Sequence, residues 1–131
     1  MVNIEELRIG NWVSYLGVNT QINSISIGES CGYVSTFKSG VVTLNQIEPI
    51  PLTEKLLLKC GFTKEYYGFF CDGMELSYGR FLCNNDADKD KLFLSINNAE
   101  YKISEVSLKY LHQLQNMYLD LTGKKLNTVQ I

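Results

Sequence analysis

The chain has 131 residues, of which 45% are hydrophobic and 20% charged, ordinary usage for a globular domain and far from the signature of disorder. Twelve basic residues against fourteen acidic ones give a formal net charge of −2, split as two basic and four acidic up to Leu52 and ten of each after it. No segment is a basic module for a polyanion, and no apolar run approaches the roughly 18 residues of a membrane span.

In chain order, Asn3 to Leu7 reads as a short capped turn, with Asn3 accepting from the first amides and Glu6 reaching back as in a capping box. Trp12 to Tyr15 reads as a strand, followed by a Gly17/Asn19 turn and a half-exposed strand through Ile22, Ile25 and Ile27. Tyr33–Phe37 and Val41–Leu44 are expected to pair across Lys38-Ser39-Gly40. So many short strands in so few residues predict an SH3-like small β-barrel over residues 1–48. Pro49-Ile50-Pro51-Leu52 (49–52) is a stiff connector, since each proline holds its predecessor extended.

The remaining residues, 53–131, are expected to form a second subdomain. Thr53 caps a short helix ending at Cys60, and Gly61 is the left-handed residue after it, with Phe62 packing back. Tyr66–Cys71 and Met74–Tyr78 flank Asp72-Gly73, the strongest hairpin signal in the chain, and further strands are expected at Arg80–Cys83, Leu92–Ile96 and Tyr101–Ile103. From about Glu105 to Leu121 the pattern is helical, with Leu111, Leu114, Tyr118 and Leu121 on one face and Thr122-Gly123 as the stop. Leu126 to Ile131 reads as a tail or an edge strand. The fold class is therefore α+β, a small barrel followed by a helix, an antiparallel sheet and an amphipathic C-terminal helix.

Met1-Val2-Asn3-Ile4-Glu5-Glu6 lacks the basic start and apolar run of a signal peptide, so a cytoplasmic protein is expected, and Cys31, Cys60, Cys71 and Cys83 read as buried thiols. His112 is the only histidine, which excludes sites needing two imidazoles, and it is expected on the flank of the last helix. Cys60 with His112 is the one conceivable nucleophile and base pair. Asp86-Ala87-Asp88-Lys89-Asp90 opens like a calcium loop, but Lys91 and Asn97 stand where such a loop needs glycine and a bidentate glutamate. No phosphate loop and no serine-hydrolase elbow occur. No cofactor and no metal are expected.

The segments Leu7-Arg8-Ile9-Gly10-Asn11-Trp12-Val13, Pro49-Ile50-Pro51-Leu52-Thr53-Glu54, Lys59-Cys60-Gly61-Phe62 and Lys109-Tyr110-Leu111-His112-Gln113-Leu114-Gln115-Asn116 together resemble a group of short Bacteroides-type bacterial proteins often carried on prophage-like or other mobile elements. The resemblance covers both ends and the centre of the chain. It implies a bacterial or phage-derived protein and supplies no catalytic residue.

Candidate binding residues are aromatic. Trp12 and Tyr15 lie where SH3-like folds present a groove to extended peptides, and Tyr66 and Tyr67 open an aromatic-rich sheet of which only one face can meet the core. The resulting expectation is a non-catalytic protein-interaction or adaptor module, with protein as partner and homo-oligomer as one form of it. A nucleic-acid-associated accessory protein of a mobile element is the first alternative, and a cysteine-dependent enzyme the second.

Overall fold

The computed structural model describes residues 2–79, 87, 89–96 and 107–131, and the expected strands at 80–83 and 101–103 lie outside them. The chain divides into two compact units: Met1–Pro51 with Tyr110–Asn116, and Leu52–Lys109 with Met117–Ile131. It is an α+β fold of two five-stranded antiparallel sheets and a C-terminal helix. Among the described residues, no helix is long and apolar enough to cross a membrane.

In the first unit, Asn3 accepts from the Glu5 amide at 3.1 Å and opens a 3-10 turn at Ile4–Glu6. Strands β1 (Trp12–Tyr15), β2 (Val18–Ile27), β3 (Gly32–Thr36), β4 (Ser39–Thr43) and β5 (Ile47–Glu48) follow, arranged β4-β3-β2-β1-β5. The β1–β2 turn is Leu16-Gly17, with φ of 50° and 79°, one residue earlier than the expected Gly17/Asn19 turn. Two consecutive positive φ values match the right-handed twist of a hairpin, although leucine is an unusual residue there.

The ten-residue β2 serves two neighbours. Its first part pairs with β1, from Trp12↔Gln21 to Tyr15↔Val18, and its second with β3, from Ile22↔Thr36 to Ile27↔Gly32. The register shifts between Ile22 and Ser24, and the extra residue bends the strand and curls the sheet into a half-barrel. Val2, Leu7, Val13, Ile22, Val34 and Ile47 fill its concave side as one buried cluster.

In the second unit, Thr53 accepts from the Leu56 amide at 3.1 Å and starts α1 (Glu54–Lys59). The helix closes with Gly61 at φ 92°, the Phe62 amide bonding to Leu57 O and the Gly61 amide to Leu58 O, both at 3.1 Å. This pair of bonds is a Schellman stop, with Phe62 and Leu57 both buried at it. Strands β6 (Thr63–Glu65), β7 (Gly68–Cys71), β8 (Met74–Tyr78), β9 (Leu92–Ile96) and β10 (Ser107–Leu108) form a sheet in the order β10-β9-β8-β7-β6. Asp72 and Gly73, at φ 50° and 83°, make the β7–β8 turn. Phe69, Met74, Leu76, Leu94 and Leu108 are buried along the sheet.

Three sequence expectations are corrected here. Tyr66 and Tyr67 are not on a strand: they form the turn between β6 and β7, where Glu65 pairs with Gly68. The last helix, α2, runs Leu111–Thr122, because Ser107–Leu108 is drawn into the sheet as β10, and Leu121, expected on its apolar face, is 43% exposed. Cys31 is exposed and Cys71 half-buried, so of the described cysteines only Cys60 is a buried thiol, and Cys83 lies outside the described residues. The tail from Leu126 carries no strand.

Candidate interaction surface

Alternation along the first sheet separates two faces. Val13, Thr20, Ile22, Val34 and Thr36 point to the core and are almost fully buried. The opposite, outer face carries Trp12 paired with Gln21, then Ser24 with Ser35 and Val41 in the next row. Phe37 extends the Trp12–Gln21 row, its amide donating to the Gln21 carbonyl at 3.2 Å. No residue of β1, β2, β3 or β4 is charged.

Polar side chains hold this face in shape. The Ser24 and Ser35 hydroxyls are 2.6 Å apart, and Ser35 also donates to Asn23 Oδ1. The Thr36 hydroxyl accepts from the amides of Lys38 and Ser39 at 3.2 and 3.0 Å, fixing the tight turn that leaves Phe37 71% exposed. Val41 is equally exposed, and Ile9 lies 70% exposed in the loop before β1. Trp12 is half-buried, and its indole N–H is buried without a hydrogen-bond partner.

The loop that enters β1 is clamped by the first half of α2. Asn11 Nδ2 donates to Asn116 Oδ1 at 2.8 Å, the Trp12 amide to Gln115 Oε1 at 2.8 Å, and Asn116 Nδ2 to the Glu6 carbonyl at 2.7 Å. Gln115 and Gln21 both donate to the Gly10 carbonyl, at 3.2 and 3.0 Å. Two segments about a hundred residues apart, Leu7–Val13 and Tyr110–Asn116, therefore meet through side-chain amides that seat a helix on a strand.

His112 belongs to the same clamp. It is not on the helix flank but 1% exposed, its ring stacked on Tyr110 at 5.8 Å and its Nε2 3.2 Å from Glu6 Oε2. Glu6 thus reaches the helix and not its own capping box, and the imidazole is closed to any substrate.

Of the four aromatic residues singled out from sequence, Trp12 alone faces outward on the first sheet. Tyr15 is three residues on, so strand alternation turns it the other way, and it packs against the buried cluster. Tyr66 and Tyr67 share the β6–β7 turn, edge to face at 5.7 Å and 84°, with Tyr66 83% exposed. Burial, and then Glu75 and Glu65, push the Tyr67 phenol up, so it remains a neutral donor. Phe37 and Val41 were missed: each reads as an ordinary strand residue in sequence, whereas Phe37 stands in the β3–β4 turn and Val41 on the outermost strand.

The Cys60 thiol lacks the environment of a nucleophile. Cys60 is 2% exposed, and burial, with Cys71 adding, pushes its thiol up to about 11. A nucleophile needs the reverse, an accessible thiol with a depressed pKa. Among the described residues, no cluster of three metal-ligating side chains occurs. Comparison with protein-family models, curated proteins and solved structures finds no match to this chain.

Proposed function

We propose that the chain is a non-catalytic protein-interaction module, and that its docking face is the outer face of the first sheet, centred on Trp12, Phe37 and Val41. One observation carries this reading: four adjacent strands without a charged residue, with Val41 on the last of them and Phe37 in the turn before it each 71% exposed. Interface cores are depleted in charge and enriched in aromatic anchors, and a half-buried tryptophan flanked by an exposed phenylalanine fits that composition. The finer reading of the first unit as an SH3-like barrel is supported by the long, bulged β2 shared between two neighbours. A cytoplasmic setting, and the bacterial, mobile-element origin that the resemblance implies, belong to the same proposal.

The nucleic-acid alternative asks for cations that could neutralise phosphates, and the strands of this face supply none. Titration with short DNA and RNA tests the choice. No binding at low salt is the expected result; binding that weakens steeply with added salt would overturn the protein reading. The cysteine-enzyme alternative is disfavoured by a protonated, buried Cys60 and an enclosed His112.

A further inference from the structure

The outer side of α1 carries a cleft. Leu57 and Cys60 are buried, whereas Glu54, Lys55, Leu58 and Lys59 form two neighbouring i, i+4 rows on the exposed side of the helix. These four residues and Gln130 of the C-terminal tail line a cleft of about 550 Å³, inside the range of about 300–1,000 Å³ typical of small-molecule sites. Leu126 is buried and anchors the tail. Beyond it the Val129 amide donates to Asn127 Oδ1 at 3.2 Å and the Ile131 amide to the Thr128 carbonyl at 3.1 Å, so the tail turns back on itself around Gln130.

Two features of this lining work against α1. Lys55 and Lys59 stand one helical turn apart, and like charges at that spacing repel. Neither has an ion-pair partner among the described residues, and Glu54, the one carboxylate of the lining, is held by Lys64 Nζ at 2.6 Å. Beside them Leu58 is 47% exposed, on a helix of only six residues, too short to be stable by itself. A molecule that is negative at one end and apolar along the rest offsets both. We propose that the cleft binds a small organic anion, a carboxylate with an aliphatic body. Lys55 and Lys59 receive its charge, Leu58 lies under its chain, and the Gln130 amide supplies a further donor. An inorganic anion would leave Leu58 uncovered, and a neutral hydrocarbon would leave the lysines facing each other. The described lining holds no aromatic side chain for an aromatic body to stack on. The site lies wholly within the second unit and does not depend on the outer-face reading.

The test titrates octanoate, octan-1-ol and inorganic phosphate separately into the purified full chain, followed by amide and methyl NMR. Octanoate is expected to shift the signals of Lys55, Leu58, Lys59 and Gln130 saturably, with a Kd of about 1 mM or tighter, as suits a cleft open on one side. The alcohol and phosphate should each bind about tenfold more weakly or not at all. Lys55→Gln combined with Lys59→Gln should weaken octanoate by about tenfold or more and leave the fold intact, since both side chains are exposed and their loss relieves a repulsion. Absence of saturable shifts at these residues overturns the proposal. So does octan-1-ol matching octanoate, which makes the cleft an apolar patch, or phosphate matching it, which makes the lysines an unselective cationic surface. A double glutamine variant that is folded and binds octanoate like wild type overturns it equally, and the three-ligand series on wild type decides the matter without any variant.

Discussion

The Tyr118 hydroxyl donates to the carboxylate of Asp72, the non-glycine residue held at φ 50° in the β7–β8 turn. Tyr118 is 4% exposed and also meets Phe62 edge to face at 6.4 Å, so a phenol in the second half of α2 anchors a hairpin tip. Replacing Tyr118 by Phe keeps the ring and removes one charge-assisted bond. Its expected cost is about 1.5–3 kcal/mol of stability, read from urea unfolding.

Alkaline pH should weaken the fold through Cys60. The folded thiol holds its proton to about 11 against an ordinary value of 9.0, so between these values the unfolded chain binds fewer protons than the folded one. Stability is therefore fully present below about pH 9 and falls as pH rises towards 11, by a few kcal/mol at the two-unit shift. Unfolding midpoints measured from pH 7 to 11 should show the decline, and Cys60→Ala should flatten it. Tyr118, raised by burial and then by its bond to Asp72, adds a loss that begins above its ordinary value of 10.0, so some decline is expected to persist in Cys60→Ala near the top of the range.

Two glycines separate backbone strain from steric exclusion. At Gly61, φ is 92° and an added Cβ meets nothing within 4 Å, so Gly61→Ala should cost only the left-handed penalty of about 1–2 kcal/mol. At Gly68, φ is 154° and the same atom would lie 1.8 Å from the Leu76 carbonyl oxygen, within the β7–β8 ladder. Gly68→Ala should cost about 3 kcal/mol or more, because backbone must move. Equal thermal shifts for the two variants would contradict this.

Asn116→Ala removes the acceptor of Asn11, which is 3% exposed, and the donor to the Glu6 carbonyl. An unpaired buried amide costs about 1–3 kcal/mol, and the loss should appear as faster amide exchange in residues 6–12 with β7 and β8 unchanged.

Local chemistry made several elements readable in advance. Thr53 and Gly61 bound α1 because a cap and a left-handed glycine act within a few residues, and Asp72-Gly73 names its own turn. The β6 strand escaped because Thr63, Lys64 and Glu65 are all exposed and show no alternation, while Tyr66 and Tyr67 borrowed the strand propensity of aromatic residues for what is a turn. Leu16 shifted the first turn one residue earlier than expected, since leucine seldom takes positive φ. His112 could not be placed because its partner Glu6 lies 106 residues away. Trp12 was legible as a candidate from its position on the first strand, but the surface around it was not, since Phe37 is exposed by the β3–β4 turn and Val41 by the place of β4 at the sheet margin.

The most direct test of the interaction reading compares tagged wild-type chain with Phe37→Glu and Tyr66→Ala, captured from the native cell after cross-linking. Phe37→Glu places a charge on the neutral face without touching the core, and Tyr66→Ala alters an exposed aromatic residue in the other unit. The account expects a stoichiometric protein partner with wild type and Tyr66→Ala that is lost with Phe37→Glu and insensitive to moderate salt. A partner retained by Phe37→Glu and lost with Tyr66→Ala, or recovery of nucleic acid alone, would contradict it.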